Sequence, residues 1–192
     1  MTMNTMTTLT TQPTRTTMMT QKNRHDAAAD IVAQGDIATP LGTMTALATA
    51  RGLAALWFDV ADRHPVAVAN APVEPSHPHI AAARRWLDAY WAGEPTDGIE
   101  VPLDLHGTLF QRAVWRELQR IPRGHTRSYG EVAARVGGGA VARATGAACG
   151  ANPVGVIVPC HRVVGANGSL TGFAAGLPRK EALLVHEGAL LA

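Results

Sequence analysis

The sequence predicts an α+β fold: a small, strand-rich N-terminal α/β domain, then a mostly helical C-terminal domain containing a helix-turn-helix. Three observations predict it. Strand-like apolar segments gather before residue 60. Capping-box spacing marks helix starts at Thr108 and Ser128. Glycines separate two short helical segments between residues 129 and 148. The chain has 192 residues, 46% of them hydrophobic, enough to bury the core of one large or two small domains.

Residues 1–25 hold five of the six methionines, many threonines and no acidic residue. With no apolar centre of a secretory signal and no helical Arg/apolar face of an organelle-targeting peptide, residues 1–26 read as a disordered leader, and Met18 or Met19 fits as an alternative start. The domains are expected at 27–104 and 105–192. From Ile37 to Val60 two apolar stretches flank Gly52, the pattern of a hairpin. Residues 61–79 read as loop or edge strand. Ile80–Trp91 reads as a helix with Ala83, Leu87 and Tyr90 on one stripe, ended by Gly93, Pro95 and Gly98. A short apolar patch at Val101–Leu105 leads into the second half.

There Thr108 and Gln111 open a helix carrying Phe110, Ala113, Val114, Leu118 and Ile121 at helical intervals up to Pro122. Ser128 and Glu131 open a shorter one, closed by Gly137-Gly138-Gly139. Ala140–Ala148 forms the next, with Val141, Ala144, Thr145 and Ala148 inward and Arg143 outward. Two readings fit this pair: a DNA-binding helix-turn-helix and a tightly packed helix pair with no partner.

The run Asn152–Val164 is apolar and β-branched, which reads as a buried strand that Pro159-Cys160-His161 ends. A free thiol has a pKa near 8.5, so a useful nucleophile needs a base or a positive charge beside it. His161 is the adjacent base, although neighbours on an extended chain point to opposite sides and the proton then passes through one water. Arg162 adds positive charge. An inert core cysteine fits the same residues. Pro178 and Gly188 bracket a last helix with Leu183, Leu184 and Glu187 on one face. Glu187 opposes the helix dipole there, so a partner such as a buried cation or histidine is expected, and a solvated last turn is the alternative.

A formal charge of +2 permits contact with nucleic acid without specifying it. Two cysteines, Cys149 and Cys160, are too few for a disulfide framework and offer no C-x-x-C metal site, so a reducing, cytoplasmic location is expected. No apolar run reaches the roughly 18 residues of a membrane span.

With these residues assembled, the chain resembles the O6-alkylguanine-DNA alkyltransferases, also called methylated-DNA–protein-cysteine methyltransferases. The resemblance covers "LHGTLFQRAVWRELQRIPRGHTRSYGEVAARVG", "ARATGAACGANPVGVIVPCHRVVGANGSLTGF" and "GLPRKEALLVHEG", and "PLGTMTAL" and "GLAALWF" look like the family's smaller N-terminal domain. It implies DNA repair by direct reversal: Cys160 takes the alkyl group of O6-alkylguanine, or of O4-alkylthymine, once per molecule. His161 takes the thiol proton through a water, and Glu187 orients His161. The resemblance also implies contacts to DNA or the flipped base at Ser128, Tyr129, Ala142, Arg143, Asn152, Val163 and Phe173. Arg143 fills the stack, Tyr129 receives the base, Asn152 ties the recognition helix to the active-site turn, and the carbonyls of Cys160 and Val163 read the exocyclic amine. The partner is double-stranded DNA, bound through the minor groove without sequence specificity by a monomer. No cofactor or zinc is expected, because the cysteines of zinc-binding relatives are missing. Phe173 stands where many relatives carry tyrosine and Gly150 where some carry arginine, departures that bear on alkyl preference and phosphate contact. The rival readings are a non-catalytic alkylated-DNA sensor, against which Cys160 argues, a Cys-His hydrolase, which needs an oxyanion hole, and a helix-turn-helix regulator.

Overall fold

In a computed structural model, residues 31–58, 71–137 and 142–191 are described. The leader, residues 61–70 of the expected loop, and Gly138, Gly139, Ala140 and Val141 lie outside the described residues. Strands β1 (Ile31–Ile37), β2 (Met44–Thr49) and β3 (Leu53–Phe58) form an antiparallel sheet in sequence order. The hairpin expected around Gly52 is β2–β3, and β1 precedes the pattern read from Ile37. Its Gln34-Gly35-Asp36 centre dilutes the apolar signal, yet Ala33, Gly35 and Ile37 alternate inward. Thr49 closes the β2–β3 turn: its Oγ1 accepts the amides of Arg51 at 3.1 Å and Gly52 at 3.3 Å.

Helix α1 (Pro78–Ala92) lays Ile80, Ala83, Leu87 and Tyr90 on the inner face of the sheet, against Met44, Ala46, Leu56 and Phe58. Pro78 suits the first helical turn, and Gly93, left-handed at φ 77°, ends the helix where a side chain would be strained. Both free edges of the sheet are covered. Val73 bridges β1 at Gln34, while the edge of β3 receives two segments of the second half, Leu103 beside Leu53 and Val154 beside Leu56. Gly52 is required by the first of these, since a Cβ there would lie 2.7 Å from the Pro102 carbonyl oxygen.

Helix α2 (Leu109–Leu118) starts at Thr108 and α3 (Tyr129–Val136) at Ser128, each with a complete capping box. Between them Glu117 is buried and paired with Arg127 at 2.7 Å and Arg120 at 3.1 Å. This holds the two-residue strand β4 (Arg127–Ser128) parallel to β5 (Val163–Val164). Helix α4 (Ala142–Gly150) completes the helix-turn-helix, and the Trp115 indole of α2 donates to the Ala148 carbonyl at 2.9 Å. Thr145 and Ala148 face inward and Arg143 outward, as the periodicity predicts, but Ala144 is exposed. The helix turns its core face through Thr145, Ala148 and Cys149, so Arg143 stands among the small exposed residues Ala142, Ala144 and Gly150.

The strand expected over Asn152–Val164 is corrected in one respect. The stretch is buried, but most of it is an irregular loop that touches β3 through the single Val154–Leu56 bridge and ends in a 3₁₀ turn, Cys160–Arg162; only its last two residues form a strand, β5. Pro153 and Pro159 lack ladder donors, the Asn152 side chain takes the Val154 amide, and Val156 sits at φ 68°. Apolarity reports burial, whichever conformation delivers it. Helix α5 (Leu177–His186) closes the molecule, with Lys180, Leu183 and Leu184 inward. No described helix is long and apolar enough to cross a membrane.

Candidate active site

Four elements meet around the 3₁₀ turn. Residues i and i+1 of such a turn lie about 120° apart, so Cys160 and His161 diverge. Cys160 faces the end of α4, where Asn152 Nδ2 reaches its Sγ at 3.2 Å. The same amide donates to the Val158 carbonyl at 2.7 Å, the Asn152 backbone amide donates to the Cys149 carbonyl at 3.2 Å, and the Trp57 indole of β3 donates to the Asn152 carbonyl at 3.0 Å. One asparagine thus ties α4, the loop that carries Cys160 and the sheet together.

His161 is fully buried, and its Nε2 lies 2.7 Å from Glu187 Oε1. Arg162 grips the same carboxylate in two places, Nε to Oε2 at 2.8 Å and Nη2 to Oε1 at 2.9 Å, and its Nη1 donates to the Ile121 carbonyl at 2.6 Å. The Tyr90 hydroxyl, arriving from α1, donates to Oε1 at 2.8 Å. Burial alone would raise the Glu187 pKa, but the hydrogen bonds from His161 and Arg162 outweigh it and hold the carboxyl well below its usual range. Burial pushes His161 below the usual imidazole value, against the opposing pull of Glu187. With Glu187 and Arg162 cancelling in charge, the histidine rests neutral. Its proton is assigned to Nε2, which faces the carboxylate. Nδ1 is buried with no hydrogen-bond partner among the described residues, a lone pair placed to take a proton.

Lys180 is the second buried cation. Its ammonium donates to the carbonyls of Val163 at 2.5 Å and Thr171 at 2.7 Å, joining the 3₁₀ turn to the loop that carries Phe173. Burial lowers its pKa, and a thiolate at Cys160 opposes that shift. Burial, with the charge of a thiolate at Cys160 acting the same way, pushes the Cys149 thiol up to about 12, which keeps it protonated near neutral pH.

Beyond the cysteine lies an open groove of about 680 Å³ between α4 and residues 171–174, lined by Tyr129, Ala142, Arg143, Gly146 and Phe173. The Tyr129 hydroxyl lies 3.2 Å from the carbonyls of Thr171 and Gly172, and burial raises its pKa, keeping it a donor. Phe173 approaches His161 edge-on at 6.5 Å. Ser128 spends its hydroxyl on Glu131 as the α3 cap. Val163 is buried, with its carbonyl already bonded to Lys180.

The structure therefore brings Cys160, His161, Glu187 and Asn152 into one buried cluster, and Tyr129, Ala142, Arg143 and Phe173 onto the adjoining groove. Sequence reasoning missed Tyr90, Lys180 and Trp57. Lys180 was findable: positions 180, 183, 184 and 187 form one helical stripe, and a lysine there must be buried and partnered. Tyr90 and Trp57 carried no local signal.

Residues 109–189 match the family model of the 6-O-methylguanine DNA methyltransferase, DNA binding domain. A methylated-DNA–protein-cysteine methyltransferase of Mycolicibacterium paratuberculosis is 55% identical over 108 residues, 56% of this chain and 65% of that protein. One of Mycobacterium tuberculosis is 52% identical over 121 residues, 59% of this chain and 73% of that protein. The crystal structure of Mycobacterium tuberculosis OGT in complex with DNA superposes with a TM-score of 0.74 at 42% identity, covering 82% of this chain and 93% of that one.

Proposed function

The chain belongs to the methylated-DNA–protein-cysteine methyltransferase family, and from that membership we propose that it repairs O6-alkylguanine in DNA by moving the alkyl group onto its own Cys160. The observation that carries the reading is a neutral, buried His161 on the same turn as the Cys160 thiol, held through Nε2 by Glu187 and with an Nδ1 that has no hydrogen-bond partner among the described residues.

In the reaction, the Cys160 proton passes through a bridging water to His161 Nδ1, and the resulting thiolate attacks the alkyl carbon in line with O6. A C–S bond forms, the C–O6 bond breaks, and guanine leaves as an anion that takes a proton from solvent while His161 releases the thiol's proton to solvent, so that no proton is gained or lost overall. Tyr129, held as a donor, supplies that end of the site. Glu187 neutralises the imidazolium, and Arg162 keeps Glu187 ionised, roles like those of a catalytic triad on a different fold. Asn152 holds the sulfur in line. The thioether is stable, so each chain acts once.

A paired guanine cannot reach the sulfur, so the nucleotide flips out at a cost of a few kcal/mol. Arg143, exposed among small residues, enters the stack from the minor groove, where the slim face of α4 permits close approach. Contacts of this kind go to backbone and shape, so sequence matters little. Phe173 keeps a flat face for the flipped base without a hydroxyl, and Gly150 leaves the groove without the extra cation some relatives carry. We propose a monomer acting in a reducing, cytoplasmic compartment, with the chain divided near residue 104 into a supporting and a reacting domain.

The test is stoichiometry. With excess O6-methylguanine duplex, repair should stop at about one lesion per chain. Continued turnover would instead indicate a hydrolase, and binding without loss of the lesion a sensor.

A further inference from the structure

The residues given roles in the transfer all lie in the C-terminal half, yet Glu187 has a donor from the other half of the chain, 97 residues away in sequence. We infer that Tyr90 is a positioning residue for the transfer reaction: its hydroxyl completes the donor shell of Glu187 and thereby sets both the direction and the basicity of the carboxylate that holds His161. This inference rests on the alkyl-transfer reading above.

Oε1 of Glu187 accepts from His161 Nε2, Arg162 Nη2 and Tyr90 Oη at 2.7, 2.9 and 2.8 Å, while Oε2 accepts Arg162 Nε at 2.8 Å. Three donors on one oxygen leave the carboxylate no second orientation and compete for its electron density. A more basic carboxylate would draw the Nε2 proton closer and favour the imidazolium, in which Nδ1 carries a proton and is no longer a base. Tyr90 prevents this by sharing the charge.

The surroundings show a side chain built for that position. Tyr90 is 1% exposed. Its ring stacks on Trp86 at 5.3 Å, meets Trp91 edge-on at 5.0 Å and lies under the Arg123 guanidinium at 5.2 Å. Burial and the Glu187 charge push its pKa well above the ordinary tyrosine range, so the hydroxyl donates at every working pH. The charged and titratable groups facing the cluster are Arg162 on the 3₁₀ turn, Lys180 and His186 on α5, Arg123 after α2, and Cys160. Lys180 and Arg162 oppose the imidazolium, Glu187 favours it, and Tyr90 is the neutral member that trims Glu187. His186 bonds the Tyr90 main-chain carbonyl at 2.8 Å and so fixes the helix end rather than the hydroxyl.

The experiment compares wild type, Tyr90→Phe and Trp86→Leu in the full chain. Single-turnover transfer from an O6-methylguanine duplex is measured from pH 5 to 9, and the His161 imidazole is titrated by NMR in the free protein. Tyr90→Phe keeps the ring packing and should raise the acid limb of the transfer profile and the His161 titration together, by about half a pH unit. Trp86→Leu, which loosens the packing around an intact hydroxyl, should leave both where they are. An unchanged profile and titration in Tyr90→Phe would overturn the role of Tyr90 while leaving the transfer reading intact. Equal shifts in the two variants would overturn it as well, by reducing it to packing. Absence of transfer in wild type would overturn the activity and this role with it.

Discussion

Replacing Glu187 by glutamine removes a charge and almost no volume, so it isolates the electrostatic work of the carboxylate. Its oxygens accept four hydrogen bonds, one from His161, two from Arg162 and one from Tyr90. A glutamine whose oxygen stays on His161 and Tyr90 turns its amide toward Arg162 Nε, donor against donor, and leaves Arg162 with Nη2 on that one oxygen and Nη1 on the Ile121 carbonyl. Breaking a buried pair from one side costs about 3–5 kcal/mol. Because one acceptor oxygen and the Ile121 bond survive, the lower end, about 3 kcal/mol, is expected. At about 2–4 °C per kcal/mol for a chain of this size, Tm should fall by about 6–12 °C. The rate should fall further, because the imidazole loses both its fixed tautomer and its counter-charge, and general-base catalysis contributes about 10²–10⁴-fold. The assays are thermal unfolding and single-turnover transfer on an O6-methylguanine duplex, with His161→Gln alongside as the loss of the base itself. A variant within about 2 °C of wild type and within about threefold of its rate would refute the reasoning, because each quoted effect exceeds those limits.

Three further outcomes are expected. Cys160→Ala should bind DNA as wild type does and transfer nothing, checked by electrophoretic mobility shift beside the transfer assay; loss of binding would join chemistry and groove contacts that the structure keeps apart. Arg143→Ala should slow repair in duplexes much more than reaction with a free O6-alkylguanine base, and equal slowing would remove its role in flipping. Stability should fall on acidification in two stages. The lowered His161 pKa means that below about pH 6.5 the unfolded chain gains a proton the folded chain refuses, and the lowered Glu187 pKa adds a second loss below about pH 4.3. His161→Gln should lack the first stage in a series of Tm against pH, and a flat wild-type Tm between pH 7 and 5 would contradict it.

What was legible in the chain was local. Thr108 and Ser128 declared their helices because a capping box is complete within four residues, and the Leu183, Leu184 and Glu187 face followed from one helical repeat. Glu187 could be expected to have a partner because a carboxylate at a helix C-terminus is unfavourable alone. The apolar run before Cys160 was read correctly as buried and incorrectly as a strand, since hydrophobicity measures burial, and its conformation is decided by Pro153, Pro159 and the Asn152 side chain. Strand β1 escaped because Gln34, Gly35 and Asp36 interrupt an alternation that only the neighbouring strand makes clear. Tyr90 and Trp57 escaped for a different reason. Their polar atoms meet Glu187 and Asn152 across 97 and 95 residues, and nothing in a tyrosine on an apolar helix stripe announces the carboxylate it will find.

The central claim is that one sulfur, Cys160, is the permanent home of the transferred group. Incubating the purified chain with an O6-methylguanine duplex and mapping the peptides by mass spectrometry tests it most directly. A single methyl is predicted, located on Cys160, with Cys149 untouched. A methyl on Cys149 or on any other residue, or repaired DNA beside unmodified protein, would contradict it.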